Sequence, residues 1–384
     1  KLQTVVRDRS GVIWMQATSQ KKLWTQDFVL LLASTLMLWG SHYCLVPIFP
    51  LFAVQQLHAS GAQVGLLSSM MTITATVVRP LAGYALDRWG RRWIQIGFLV
   101  AFCGVLWGFN LVGTLGMLFV ARMLQAIPFG VTTTAGATVA ADLVPSSRRG
   151  EGMSLFGMAQ TLAMAIMPVL ALKVLDQGHY SRTFFVAGGF CLVAAGLAYL
   201  LRHPLIRDPS ASFSLRSIVE RRVLWISLTQ TLISTGYASV VVFITLYAGQ
   251  VGIGNAGLFF TLYAVGMILA RSVAGGVFDR RGPRLAFGTG LCLLFASYAS
   301  LALWQTDVGF VCAALMLGVA MGAIRPTLEA MVVNVVPKAR RGAANATLFA
   351  GFDVGMAIGS SVLGAVARLA EAMRRCIWWR RVWW

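Results

Sequence analysis

Charged side chains buried in long apolar runs are where this chain could do chemistry. Arg325 and Glu329 stand four residues apart, which puts them on one face of a helix and within reach of each other. Asp353 lies in Gly351-Phe352-Asp353-Val354-Gly355, with no cation nearby on its own run. A carboxylate held in a low dielectric can take up and release a proton, so Asp353 or Glu329 is a candidate protonation site. Each has a structural reading too. Glu329 reads slightly better as the partner of Arg325, and Asp353 could pair across helices, Arg325 being one partner. Arg122 sits in Arg122-Met123-Leu124-Gln125-Ala126. An arginine at mid-membrane costs about 2.5–3.5 kcal/mol, so it needs a partner or water. His42 could relay a proton, but a lone His among apolar residues reads better as hydrogen-bonded and structural. Arg79 and Arg271 lie near run ends, where they would snorkel outwards.

The elements that must position these groups follow from composition. The chain has 384 residues, 58% hydrophobic and 12% charged. Soluble domains carry about a quarter charged residues. The charges form short clusters between apolar runs of roughly 20 residues, the length of a helix that crosses a bilayer. This is an all-α polytopic membrane protein. The net charge of +19 does not imply nucleic-acid binding, because the basic residues sit at membrane boundaries and not on one patch. Cys44, Cys103, Cys191, Cys292 and Cys312 lie inside apolar runs and read as packing residues. No set of buried polar groups converges on a nucleophile and base, which argues against an enzyme, and no His/Cys cluster suggests a metal.

Two landmarks occur twice. Arg79-x-x-x-Gly83-x-x-x-Asp87-Arg88-x-Gly90 returns as Arg271-x-x-x-Gly275-x-x-x-Asp279-Arg280-x-Gly282, 192 residues later (279 − 87). Asp142-Leu143-Val144-Pro145, followed by Arg148-Arg149-Gly150, returns as Asn334-Val335-Val336-Pro337, followed by Arg340-Arg341-Gly342, again 192 later (337 − 145). One ungapped offset for two landmarks marks a duplicated unit. The first landmark reads as a charged, glycine-flanked loop between two spans.

Spanning helices are expected near 27–49, 62–85, 93–112, 115–140, 152–172, 183–201, 223–248, 256–278, 285–304, 308–333 and 343–366. A charge-free loop with Gln55, Gln56 and His58 would follow the first. Lys and Arg crowd the segments 1–25, 88–92, 148–149, 202–222, 280–284 and 338–341, whereas the alternate loops up to the eleventh span hold only Lys173 and Arg182. That asymmetry puts the N-terminus and the linker in the cytoplasm. The units are a polar, basic tail (1–25), a six-helix bundle (26–201), a linker (202–221) and a second bundle (222–384). The offset predicts a twelfth span at 375–393. The chain instead finishes in Arg374-Arg375-Cys376-Ile377-Trp378-Trp379-Arg380-Arg381-Val382-Trp383-Trp384, which reads as a lost or altered twelfth helix suited to the headgroup region.

Six helices duplicated around a cytoplasmic linker, with Gly83-x-x-x-Asp87-Arg88-x-Gly90-Arg91-Arg92 after the second span, resemble the major facilitator superfamily over residues 20–366, in particular its bacterial drug:proton antiporter-like members. The resemblance implies two six-helix bundles around a cavity that opens alternately to each side. It implies a conformational latch at Gly83, Asp87, Arg88, Gly90, Arg91, Gly275, Asp279 and Arg280, which holds the outward-open state. From the residues alone, Gly83 permits close packing, Asp87 can pair with a cation or cap an opposing helix, and Arg88, Arg91 and Arg92 can anchor to headgroups. Arg122-x-x-Gln125-Ala126 resembles the family's arginine-x-x-glutamine-glycine element, which implies proton coupling, with alanine where glycine is usual. A structural ion pair remains the other reading. The fifth span keeps Pro168 but few of the glycines common in antiporters, a departure from that branch.

The candidate cavity residues are Trp39, His42, Tyr43, Gln125, Gln230, Tyr237, Tyr263 and Arg325. Aromatics with few fixed charges suit an amphiphilic or weakly polar solute. The expected function is secondary transport by alternating access, most simply proton-coupled efflux from an inner (plasma) membrane. The partners would be a small-molecule substrate, protons and the bilayer. The chain would act as a monomer with no cofactor, and the proton gradient would drive it. Alternatives are a proton symporter that imports a metabolite, with Arg325 a candidate for an anion, and a truncated, non-transporting membrane protein.

Overall fold

The computed structural model describes residues 4–7, 13–16, 23–175, 179–202, 219–251 and 257–359. The N-terminal tail departs from the expected plain polar segment. It carries an antiparallel hairpin of β1 (Thr4–Arg7) and β2 (Ile13–Gln16), with Thr4 opposite Gln16. Helices follow: α1 (Gln26–Leu45), α2 (Ile48–Leu57), α3 (Gly61–Trp89), α4 (Arg92–Gly108), α5 (Leu115–Leu143), α6 (Arg149–Leu175) and α7 (Tyr180–Leu200). The second half has α8 (Leu224–Val251), α9 (Gly257–Arg281), α10 (Pro283–Leu303), α11 (Asp307–Val335) and α12 (341–359). Most of the expected linker and the expected altered twelfth span lie outside the described residues.

The first span runs past its expected end. Pro47 lacks an N–H and interrupts the ladder, but α2 carries the helix on to Leu57. Gln55 and Gln56 are therefore helical, and the turn comes only at His58, in the left-handed conformation with φ 51°. The duplicated landmark is also not a loop. α3 continues through Asp87 and Arg88 to Trp89, and only Gly90 leaves the helix. Its φ of 92°, matched by 82° at Gly282, is a conformation that side chains resist.

The duplication extends to the helix starts. Thr114 accepts from the N–H of Met117 to begin α5, and Thr306, 192 residues on (306 − 114), accepts from Gly309 to begin α11. Pro145 and Pro337 each open a short 3-10 turn that leads into α6 and α12.

Among the described residues, nine helical segments are long and apolar enough to cross a membrane. Val77, Leu232, Leu269, Val273 and Phe295 face outwards. A water-soluble surface would not carry that much exposed apolar area. One apolar core lies within α1–α7 and a second lies mainly within α8–α12. A third cluster joins the halves at the end that carries the landmarks, through Ala137, Val139, Phe156, Phe278, Ala330 and Phe349.

Candidate functional site

Two contacts related by the duplication close the landmark end. Asp87, at the end of α3, accepts from the backbone N–H groups of Gly342 (2.9 Å) and Ala343 (2.9 Å) at the start of α12. Asp279, at the end of α9, accepts from Gly150 (2.8 Å) and Glu151 (3.0 Å) at the start of α6. Each aspartate caps a helix of the opposite half, where the first N–H groups lack partners and the helix dipole favours negative charge. Gly83 and Gly275 allow the approach. A Cβ on Gly83 would stand 2.7 Å from Gly342 O, and one on Gly275 would stand 2.5 Å from Glu151 Cα.

Beside the first cap is an ionic node that the sequence reading missed. Asp142 accepts from Arg91 Nε (3.1 Å) in its own half and from Arg341 Nη1 (2.8 Å) in the other. Its side chain is fully buried. Arg91 also reaches Asp87 (3.2 Å) and the carbonyl of Lys338 (2.9 Å). It is buried here and does not anchor to headgroups, because two carboxylates and the carbonyls of Leu86 and Lys338 hold it. The duplicate of this node has no carboxylate: Arg149 donates to Asn334 Oδ1, and Pro283 stands where Arg91 would repeat. Arg92 turns to the carbonyl of Tyr199 (3.3 Å), Arg88 is half-buried, and Arg280 is exposed.

Above these contacts lies a cavity of about 460 Å³ between the halves, within the range of small-molecule sites. Trp39, His42, Tyr43, Tyr237, Tyr263 and Arg325 line it as expected. Gln125 and Gln230 do not. Gln125 is buried inside its bundle, where it accepts from Arg122 Nη1 (2.7 Å), and Gln230 is buried away from the lining. His42 stacks on Phe129 at 4.3 Å between ring centroids. Arg122 lies over the ring of Phe49, 4.2 Å from its centroid, and has no carboxylate partner among the described residues.

The charges differ most from expectation. Arg79 does not snorkel. It is 6% exposed and donates from Nε to Asp353 Oδ2 (2.6 Å) and from Nη1 to Thr133 Oγ1 (2.9 Å). Asp353 thus pairs with Arg79 of the opposite half, not with Arg325. Arg271 is also buried, because α9 turns it inwards to the cavity instead of along the helix to the surface. Arg325 pairs with Glu329 at 3.4 Å and lies over Phe352. Arg79, Arg122, Arg271 and Arg325 therefore face the cavity, with Asp353 and the buried Glu329 as their acids. The lining is rich in cations and not nearly free of fixed charge. The sequence carried a signal for this: the 192-residue offset relates Arg79 to Arg271, and Asp353 to Thr161 (353 − 192), which leaves one arginine without its acid.

A family model described as Major Facilitator Superfamily matches residues 31–359. The staphylopine export protein of Staphylococcus aureus (strain Mu50 / ATCC 700699) is 24% identical over 361 residues, 89% of each chain. Multidrug resistance protein 1 of Bacillus subtilis (strain 168) is 31% identical over 160 residues, 41% of each. Among solved structures, the human organic anion transporter MFSD10 superposes with a TM-score of 0.77 at 16% identity, over 88% of this chain and 92% of that one. The transporter FucP in its outward conformation gives 0.73 at 18% identity, over 91% and 94%.

Proposed function

We propose that this chain, which belongs to the major facilitator superfamily, exports a small organic solute in exchange for protons. That it is a multi-pass membrane transporter rests on the family. Export and proton coupling are the finer reading. The observation that carries it is the Arg79–Asp353 pair, a buried ion pair that joins the two halves across the cavity wall. Relatives named for export and for multidrug resistance support the direction.

The cycle follows from the pair. With Asp353 ionised, it holds α12 to α3, the aspartate caps form, and the landmark end is shut. A proton taken up at Asp353 from the open side removes the attraction to Arg79. A buried arginine left without its counter-charge disfavours that state. The halves then rock about the cavity and open the landmark end. Release of the proton on that side lets Asp353 re-pair with Arg79 and returns the cavity with its solute. In this reading the landmark end, N-terminus included, faces the cytoplasm across an inner (plasma) membrane, and the Lys/Arg asymmetry supports that orientation. The proton gradient is then the driving force, and one chain contains the whole cavity.

Everted vesicles with a pH-sensitive dye test this reading. Cationic, neutral and anionic solutes are added after energisation. In wild type, at least one will discharge the gradient. Asp353→Asn at matched expression will abolish that discharge while the protein stays folded. Equal proton movement in Asp353→Asn would refute the assignment. A variant that loses thermal stability but keeps coupled transport would make Asp353 structural.

A further inference from the structure

The duplication makes Arg79 and Arg271 counterparts, but their surroundings are not. Arg79 lies over the ring of Phe349, 5.2 Å from its centroid, pairs with Asp353 and donates to Thr133. Subtracting or adding 192 gives the corresponding partners of Arg271. Gly157 stands for Phe349, Thr161 for Asp353 and Arg325 for Thr133. A ring and a carboxylate are replaced by two small residues, and a hydroxyl acceptor by a second guanidinium.

The geometry agrees with that exchange. An ideal Cβ on Gly157 would stand 1.9 Å from Arg271 Nη1, so the guanidinium packs on the glycine itself. Thr161 turns its hydroxyl to Gly157 O (3.1 Å) and to Met267 Sδ (3.2 Å). Arg271 is 4% exposed, and among the described residues neither its Nε nor its Nη1 has a hydrogen-bond partner. Glu329 is the acid within electrostatic reach, and Arg325 already engages it. Thr161, Arg271 and Arg325 all line the cavity. A buried guanidinium with unmatched donors beside a second cation calls for an oxyanion, and its fork geometry matches a carboxylate.

We propose that Arg271 and Arg325 bind a carboxylate of the transported solute, in the position that Asp353 occupies at Arg79 in the other half. The body of the solute is apolar, because Met164, Met267, Met321, Tyr237 and Tyr263 line the same cavity as the two arginines. The substrate class is an amphiphilic organic acid. This assignment rests on the reading of the cavity as the transport site.

The test uses the full chain in lipid nanodiscs. Phenylbutyrate, naphthylbutyrate and pyrenebutyrate are each compared with the matching amide and amine by equilibrium dialysis, with empty discs subtracted. In at least one series the acid will bind most tightly. Arg271→Gln will weaken the acid at least tenfold and leave the amide unchanged, and Arg271→Lys will retain part of the affinity. Thr161→Asp keeps the test open should Arg271→Gln fold poorly. It restores to Arg271 the acid that Arg79 has, so it will melt at or above the wild-type temperature and lose the acid. An amide or amine that binds as tightly as the acid in all three series overturns the proposal, as does no binding by any compound. Acid affinity unchanged in both Arg271→Gln and Thr161→Asp also overturns it. Binding needs no gradient, so the two readings can fail separately. Acid binding of this kind without any solute-driven proton movement refutes proton-coupled export and leaves this assignment. Proton movement driven by cations alone refutes this assignment and leaves proton-coupled export.

Discussion

Asp142→Asn will open the landmark end and reduce transport at least tenfold. The side chain is fully buried and is shared by Arg91 of one half and Arg341 of the other. Asparagine keeps the size but takes from the buried Arg341 the carboxylate it pairs with, and leaves the buried Arg91 with Asp87 alone. Breaking a buried pair in this way costs about 3–5 kcal/mol, and about 1.4 kcal/mol is a tenfold change in population. The node joins the halves only when that end is shut, so the cost falls on the shut state. Spin labels at Trp89→Cys and Lys338→Cys, with the native cysteines replaced, will report it as a shift to longer distances. An unchanged distance distribution with wild-type transport would show that the node does not govern closure. Asn334→Asp will have a smaller effect, because its partner Arg149 is only part-buried.

Gly275→Val will abolish transport, and Gly276→Val next to it will not. A Cβ on Gly275 meets Glu151 Cα at 2.5 Å and Gly150 O at 2.6 Å, which are backbone atoms that no rotamer change can move. A Cβ on Gly276 meets nothing within 4 Å. Overpacking costs typically about 1–3 kcal/mol and more where the backbone must shift. Valine at 275 separates α9 from α6, so Asp279 no longer reaches the N–H groups of Gly150 and Glu151. Each half keeps its own core, so the protein will be made and inserted. Solute uptake into proteoliposomes, beside the melting temperature of each variant, checks both. Equal transport in the two variants would show that the close approach is not needed.

What could be read in advance was what repeats. The 192-residue offset identified the two halves, the two aspartates and the glycines before them, because those residues return in order. The contacts they make were not legible. Asp353 and Arg79 lie 274 residues apart, and no local pattern links them. Arg79 and Arg271 read as snorkelling residues from sequence because position along a helix says how deep a side chain lies, not which way it faces. Asp142 belongs to a landmark, but its role depends on partners from elsewhere in the chain, Arg91 in the turn before α4 and Arg341 at the start of α12. Gln125 and Gln230 are polar residues on helices that line the cavity, but Gln125 turns to Arg122 of its own helix and Gln230 is buried away from the lining. The most informative signal was where the repeat fails: Thr161 opposite Asp353, Asn334 opposite Asp142 and Pro283 opposite Arg91.

The paired caps bear on how such a chain could arise. Each half offers one aspartate and one receiving helix end, and the two contacts are related by the duplication. A surface that carries both members of a reciprocal contact is self-complementary and suits a two-fold dimer of identical subunits. An ancestral six-helix unit could therefore have assembled with a second copy of itself through these same bonds. Fusion of the two genes would then have released each copy from identity. The receiving groups are main-chain amides, which no side-chain substitution removes, so the joint could persist while the cavity walls diverged.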